Sequence, residues 1–216
     1  MCKMSENSIR FSDKMKPKKT TSAIQRRIRA HGRGWVFTPV DFLDLGTRDA
    51  VDQTLSRLTK AHVIRRLTQG IYDYPRVHGR LGILGPDPDK VAAVLAAKTG
   101  SRVQVSGARA ANLLGLSDQV PAQFVYLTDG RTRRIKIVGQ PIHLKHTAPS
   151  KFPGVGTTAG LAIQAIRALG PNADKDFVIR QLDRSLTIAD KQQLAKLRQD
   201  APDWSRDIIT RLTTTT

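Results

Sequence analysis

The sequence predicts an α+β fold with two domains, and three observations lead to this prediction. Apolar residues recur at helical spacing between short β-branched and aromatic runs up to residue 74. A stretch rich in glycine and proline, residues 75–85, then breaks regular structure. Beyond it, strand-like runs are followed by four helical segments. A chain of 216 residues with 39% hydrophobic content can bury a core in each part.

The chain is strongly basic, with 36 Lys and Arg against 18 Asp and Glu and a formal net charge of +18. Residues 1–80 carry 17 of these cations and 7 of the acids, so both parts are basic. Such an excess predicts a polyanionic partner. Nucleic acid is the commonest, because each neutralised phosphate releases condensed counterions. An anionic membrane surface is the rival partner.

Other features exclude whole classes of protein. No uninterrupted apolar run in the sequence approaches the roughly 18–20 residues that span a bilayer. The N-terminus lacks the apolar core of a signal peptide. Cys2 is the single cysteine, which excludes an internal disulfide and a cysteine-rich zinc site. We therefore expect a soluble, cytoplasmic protein.

The first domain is predicted at residues 21–78, after a flexible basic tail at residues 1–20. Ser22 can cap a first helix, because serine side chains accept hydrogen bonds from the first free backbone amides. Gly32 and Gly34 then end that helix.

Two short elements follow the first helix. Residues 35–37 form a brief extended stretch. Thr38 and Pro39 are a good N-cap and first-turn pair, and they open a second helix through about Leu45. Gly46 supplies the turn that ends it.

The third predicted helix, from Thr47 to about His62, is the most informative element. Thr47 caps it, and Val51, Leu55 and Leu58 recur at i, i+4 and i+7, which makes one apolar stripe. The other side of the helix carries residue types that bind DNA grooves: Arg48, Gln53, Ser56, Arg57 and Lys60.

A hairpin follows the third helix directly. Its predicted strands are Val63–Leu67 and Ile71–Tyr74, with Thr68, Gln69 and Gly70 at the tip. The order helix, short strand, helix, turn, helix, hairpin is that of a winged helix-turn-helix. In that arrangement the third helix enters the major groove, and the wing crosses the phosphate backbone.

The candidate DNA-binding residues have separable roles. Arginine can donate two hydrogen bonds to guanine and glutamine can pair with adenine, whereas Lys60 and the wing arginines suit phosphates. The candidates are Thr47, Arg48, Gln53, Ser56, Arg57, Lys60, Arg65, Arg66 and Gln69. Taken alone, the outer face of one helix is more often simply solvated, and the prediction depends on the turn, the wing and the charge together.

The second domain, residues 86–216, is predicted to mix helices and strands and to end in helices. Helices are expected at about 88–99, 106–114, 156–169, 173–182, 187–200 and 204–212, and strands at about 102–105, 123–128, 134–137 and 141–145. The Asp129-Gly130 dipeptide predicts a hairpin turn between the second and third strands. This hairpin would carry a second basic site, formed by Arg131, Arg133, Arg134 and Lys136. It could contact DNA, RNA or an acidic protein surface, or it could simply be solvated.

No catalytic residue, cofactor site or metal site is predicted. The "GVGTTAG" segment at residues 154–160 has the wrong spacing for a dinucleotide loop, and Pro153 interrupts any strand before it. His143 and His146 lie three apart in a predicted strand, so their side chains project from opposite faces. Ordinary surface or packing histidines are the better interpretation.

Two segments carry a family resemblance. They are "GTRDAVDQTLSRLTKAHVIRRLTQGIYDYP" and "SGARAANLLGLSDQVPAQFVYLTDGRTRRIKIVGQPIHLKH", about a third of the chain together. The chain resembles the AbiEi-like antitoxins of abortive-infection type IV toxin–antitoxin systems, including the DUF6088-type members. The resemblance implies a winged helix that represses its own operon and a second domain that counters a nucleotidyltransferase-like toxin. It implies DNA-binding roles for Thr47, Arg48, Gln53, Arg57 and the wing arginines.

Two other functions stay open on the sequence. An RNA-binding or RNA-processing protein could use the same basic wing and second-domain hairpin to hold structured RNA. An enzyme with its site in the second domain has weaker support, with Asp118, Asp129 and scattered serines as the only candidates. If the protein binds DNA, one small module gives limited specificity, so a dimer or two copies on an inverted repeat are expected.

Overall fold

A computed structural model describes residues 16–119 and 122–214. Helices and strands are mixed, as the sequence predicts, and helices occur at both ends of the described chain. The chain divides into two compact units, one ending at Pro86 and the other beginning at Asp87. Within the described ranges, no helix combines the length and apolar character needed to cross a membrane.

The described part of unit 1 contains two α-helices, a 3₁₀ helix and five short strands. The helices are α1 (Lys16–His31) and α2 (Arg48–Lys60), with a short 3₁₀ helix (Pro39–Phe42) between them. The strands are β1 (Val36–Phe37), β2 (Arg65–Thr68), β3 (Ile71–Asp73), β4 (Val77–His78) and β5 (Gly82–Ile83). The first three form an antiparallel sheet in the order β1-β3-β2, so β3 lies in the middle.

Three predictions for unit 1 need correction. Helix α1 begins at Lys16, so Ser22 lies inside it and its Oγ donates to the carbonyl of Lys19 at 3.0 Å. Residues 16–20, expected in the tail, are therefore helical, and residues 1–15 lie outside the described chain. The second helix is only the 3₁₀ turn, and it ends at Phe42. The expected connector contains the β4–β5 hairpin.

The core of unit 1 forms where α1 and α2 meet the sheet. It contains Ile24, Ile28, Phe37, Phe42, Val51, Leu55, Leu58, Ile64 and Tyr72. Three aromatic rings contribute directional packing, because Phe37 and Phe42 meet edge to face at 5.4 Å and Trp35 lies 4.6 Å from Phe37. The core therefore places α2 with one fixed side toward the sheet.

Among its described residues, unit 2 contains a four-stranded sheet and six α-helices. The helices are α3 (Pro88–Ala97), α4 (Gly107–Leu113), α5 (Thr158–Leu169), α6 (Lys175–Ser185), α7 (Ile188–Lys196) and α8 (Arg206–Thr214). The strands are β6 (Val103–Val105), β7 (Phe124–Thr128), β8 (Arg133–Ile137) and β9 (Gln140–His146), and the sheet order is β6-β7-β9-β8. A second core packs α4 to α8 together around Ile163, Ile166, Leu182 and Ile208.

The predicted turn at Asp129-Gly130 is wrong as a hairpin turn. Strand β9 lies between β7 and β8, parallel to β7 and antiparallel to β8. The hairpin joins β8 to β9, and its two turn residues, Val138 and Gly139, both have positive φ, at 47° and 85°. Asp129 instead accepts hydrogen bonds from the backbone amide and the Nε of Arg102, at 2.7 and 2.8 Å.

The two faces of the unit 2 sheet have different neighbours. One face carries Tyr126, Leu144 and Ile137, which are buried, and the Tyr126 hydroxyl donates to the carboxylate of Asp89 on α3 at 2.5 Å. Gln104 and Leu127 pair across β6 and β7 on the opposite face, where α5 covers the β6 end. The face beside α3 is the apolar face of the sheet.

Asp89 links α3 to the sheet and to α4. Arg109 binds its carboxylate through two hydrogen bonds, at 3.0 and 2.7 Å, besides the one from Tyr126. Burial opposes the charged form of Asp89, but these hydrogen bonds outweigh it and hold its pKa below the ordinary value. Burial and the bond to Asp89 raise the pKa of Tyr126, so the hydroxyl stays protonated.

Replacing Gln104 with an apolar residue is predicted to stabilise the fold. Its side chain is 6% exposed, and neither amide atom has a hydrogen-bond partner in the described chain. Because a buried amide without partners costs about 1–3 kcal/mol, we expect Gln104→Leu to raise the free energy of unfolding by about 1 kcal/mol. Urea unfolding followed by circular dichroism measures this change.

Gln164 offers the matched control. It is equally buried, at 4% exposure, but its Nε2 donates to the carbonyl of Lys151 at 2.8 Å. Gln164→Leu removes this hydrogen bond, although Arg167 still donates to the same carbonyl, and it is therefore expected to lower the free energy of unfolding. Equal effects of the two substitutions would contradict the assignment of Gln104 as an unpartnered amide.

Candidate nucleic-acid interface

Helix α2 is held with one side inward by its cap and its apolar stripe. Thr47 is the N-cap, and its Oγ1 accepts from the amide of Ala50 at 3.4 Å, as predicted. Val51, Leu55 and Leu58 are buried in the core of unit 1. The helix ends at Lys60, two residues earlier than predicted, and His62 with φ of 55° turns the chain toward β2.

The outer side of α2 is exposed where the sequence predicts it. Gln53, Ser56, Arg57 and Lys60 are all exposed. None of these four side chains makes a hydrogen bond or ion pair to another described residue. Their polar groups are therefore available to a partner, and the set includes two cations, an amide and a hydroxyl.

Arg48 lies at the first turn of α2 and has a local partner. Its Nε donates to Asp52 at 2.8 Å, and both side chains are about half exposed. An exposed pair at i and i+4 contributes only about 0.3–0.5 kcal/mol. A phosphate can therefore compete with Asp52 for Arg48 at little cost.

Arg65 and Arg66, the two arginines of the predicted wing, differ in their exposure and in their partners. Arg66 on β2 is exposed and lies opposite Tyr72 of β3. Gln69 is exposed at the tip, where it forms a two-residue turn with Gly70, whose φ is 69°. Thr68 belongs to the strand rather than to the tip.

Arg65 has a structural partner that the sequence analysis did not identify. Its Nε and Nη2 donate to the two carboxylate oxygens of Asp73, at 3.0 and 2.6 Å, and Nη2 also donates to the carbonyl of Leu84 at 3.2 Å. Asp73 is only 1% exposed. The guanidinium of Arg65 thus binds a buried carboxylate, and Arg66 is the arginine of the β2–β3 hairpin that is exposed to solvent.

The second predicted basic site is split between the two faces of the unit 2 sheet. Arg131 is exposed in the loop before β8, and Arg133, Arg134 and Lys136 are exposed on β8 itself. Arg133 shares a face with buried Ile137, whereas Arg134 and Lys136 lie on the opposite face. The four cations therefore do not form one cluster.

The sequence predicts no metal site at His143 and His146 and no dinucleotide loop at residues 154–160. The Nδ1 of His146 lies 2.9 Å from the carbonyl of Gly130, and His143 lies on the other face of β9. In the described ranges no group of three or more His, Cys, Asp or Glu could hold a metal ion. Gly160 packs against the backbone of Gly154, where a Cβ would meet the Gly154 carbonyl oxygen at 2.1 Å. Close backbone packing explains those glycines.

The Arg65–Asp73 pair predicts a large effect on stability. Arg65→Ala leaves a buried carboxylate without its cation, so we expect the free energy of unfolding to fall by about 3 kcal/mol. Arg66→Ala, the matched control on the same strand, is expected to change it by less than about 0.5 kcal/mol. Urea unfolding curves of both variants provide the comparison.

A double substitution separates charge from packing. Arg65→Met with Asp73→Leu removes both charges and keeps apolar volume, so it is expected to recover most of the stability lost in Arg65→Ala. If Arg65→Ala is as stable as Arg66→Ala, the pair does not hold the wing.

Comparison with known proteins gives one family match. A search of curated proteins finds no significant relative. Among solved structures, the RV2827C protein from Mycobacterium tuberculosis is similar at 15% identity and a TM-score of 0.44, covering 93% of this chain and 76% of that one. That similarity is too weak to carry an inference. The model of a family of unknown function, DUF6088, matches residues 23–194. Because this match spans most of the chain, from α1 into α7, the protein belongs to DUF6088.

Proposed function

We propose that unit 1 is a winged helix-turn-helix that binds operator DNA, with α2 in the major groove and the β2–β3 hairpin as the wing. The single observation that carries this proposal is the outer side of α2, where Gln53, Ser56, Arg57 and Lys60 are exposed without described partners. The helix is fixed by its buried stripe, so these groups are presented in one orientation. Preorganised donors of this kind suit base edges and phosphates.

The wing supports the same proposal. Strands β2 and β3 follow α2 directly in the chain and pair with each other. Arg66 is exposed on β2. The Arg65–Asp73 pair holds the hairpin, so Arg66 can contact a phosphate from a rigid strand. We assign sequence reading to α2, through Arg48, Gln53 and Arg57, and phosphate binding to Lys60 and Arg66.

The biological role proposed is that of an antitoxin and autorepressor of a type IV toxin–antitoxin operon. It is supported by the resemblance of residues 46–75 and 106–146 to AbiEi-like antitoxins. On this proposal unit 1 represses transcription, and unit 2 counters a nucleotidyltransferase-like toxin encoded beside it. The protein acts by occupancy, without a catalytic residue or cofactor. Two copies would bind an inverted repeat, because one module reads few base pairs.

DNA binding is tested with fluorescence anisotropy on the DNA upstream of the protein's own gene and on a scrambled duplex. We expect Arg57→Ala to weaken binding to the upstream duplex by about 1–3 kcal/mol and to affect the scrambled duplex less. Arg66→Ala should weaken both duplexes and reduce the slope of log Kd against log salt by about 0.9.

Arg184→Ala is the control for loss of charge alone. Arg184 is exposed on α6 in unit 2 and has no ion pair with a described residue. The Arg184→Ala variant should bind both duplexes with affinities within about twofold of those of the wild type. Equal losses in all three variants would mean that only net charge matters, and the proposed sequence reading by α2 would be wrong.

The antitoxin role has a separate readout. Co-expression with the toxin encoded beside the gene should restore growth with the wild-type chain, and equally with the Arg57→Ala variant. Failure of the wild type to restore growth would contradict the antitoxin assignment while leaving DNA binding intact.

A further inference from the structure

The face of the unit 2 sheet opposite α3 is open at its β8–β9 end and carries cations. We call this surface the basic face. It consists of Lys136 and Arg134 on β8, Pro141, His143 and Lys145 on β9, and Val125 and Leu127 on β7. The four β8 and β9 positions Lys136, Arg134, Pro141 and Lys145 are exposed. No described helix therefore covers this end of the sheet.

Strand register aligns these residues into rows. Arg134 lies opposite His143, which lies opposite Val125. Lys145 lies opposite Leu127, which in turn lies opposite Gln104 of β6. Directly opposite residues of an antiparallel pair, such as Arg134 and His143, have Cβ atoms about 4.5–5.5 Å apart. Each row therefore runs from a cation toward a half-buried apolar side chain.

The cations of the basic face are not neutralised by the protein. Arg134, Lys136 and Lys145 have no ion pair with a described residue, and no Asp or Glu occupies a position on this face of the four strands. In a chain with 18 acidic residues, several arginines elsewhere are paired, including Arg65 and Arg109. The absence of acids here leaves a concentrated positive potential.

The basic face continues toward α5. An open depression of about 450 Å³ is lined by Leu127, Thr147, Lys151, Gln164 and Arg167. Among the described residues, the Arg167 guanidinium donates to the backbone carbonyls of Lys151 and Asp200. Burial lowers the pKa of Arg167, and the charge of nearby Asp200 opposes this shift only in part. Positive charge therefore borders the apolar strip of β7 on both sides.

We propose that the basic face binds a single-stranded stretch of nucleic acid. Phosphates would lie on Arg134, Lys136 and Lys145, and bases would pack on Val125, Leu127 and the ring of His143. An open sheet with an apolar strip accommodates unstacked bases, which a duplex keeps inside its stack. A surface with cations but no apolar side chains between them would favour the phosphate backbone of a duplex instead. This inference goes beyond the proposed function, since none of its residues belongs to α2 or the wing.

The test uses the full chain and fluorescein-labelled oligouridylate and oligothymidylate of about 12 nucleotides. The variant is Arg134→Gln with Lys145→Gln. The matched control, Arg133→Gln with Arg184→Gln, removes two exposed cations from the opposite face of β8 and from α6. We expect the first variant to bind the oligonucleotides about tenfold more weakly and to reduce the salt slope by about 1.4. The control should stay within about twofold.

Duplex binding in the same series separates this inference from the proposed function. The basic-face variant should retain affinity for the upstream duplex, and Arg57→Ala should retain affinity for the oligonucleotides. Weakening by Arg57→Ala equal to that of the basic-face variant would place the single strand on unit 1 and overturn the proposal. So would equal losses in the basic-face variant and its control, or no binding by the wild type.

Cross-linking gives a measurement that does not depend on a variant. A 4-thiouridine oligonucleotide irradiated with the wild-type protein should cross-link to peptides that contain β7 and β9. Cross-links confined to α2 and the wing would overturn the proposal. A preference for RNA over DNA in these assays would favour contacts to the 2′-hydroxyl.

Discussion

The orientation of α2 depends on the burial of its apolar stripe, and the candidate interface of unit 1 depends on that orientation. Val51, Leu55 and Leu58 lie in the core, and each buried aliphatic side chain contributes about 1.5–3 kcal/mol. A rotation of α2 by one residue would bury a polar group and expose part of this stripe. The packing therefore fixes Gln53 and Arg57 outward without any contact of their own. Preorganisation of this kind lowers the entropic cost of binding.

The scarcity of acidic residues decides which cations remain available. The chain has half as many Asp and Glu as Lys and Arg. Asp73 is buried and holds Arg65 in the β2–β3 hairpin, whereas Asp52 is exposed and holds Arg48 only weakly. Arginine thus stabilises the fold at position 65 and is a candidate DNA-contacting residue at position 48. Burial of the acid, rather than the position of the arginine in the sequence, makes the difference.

The two candidate surfaces combine the same chemistry in different shapes. Helix α2 presents a narrow convex surface of the width that a major groove accepts. The basic face presents a broad sheet, where the half-buried Val125 and Leu127 lie between cations. A convex helix suits a duplex and an open sheet suits single strands, so the shapes favour different forms of nucleic acid. The sequence left an RNA-binding alternative open for the basic surfaces in general, and the basic face of unit 2 is the surface proposed here for a single strand.

The sequence by itself determined the local elements. The cap at Thr47, the stripe of α2, the exposed outer residues and most strand positions follow from short-range periodicity and capping chemistry. Only the tertiary structure decided the pairing of strands. β9 lies between β7 and β8, and Val138 gives no turn signal because a branched residue disfavours positive φ. The division of the second basic site between two faces, and the pairing of Arg65 with Asp73, follow from strand register. Register depends on contacts between residues far apart in the chain or on a turn and bulge, which the local pattern does not specify.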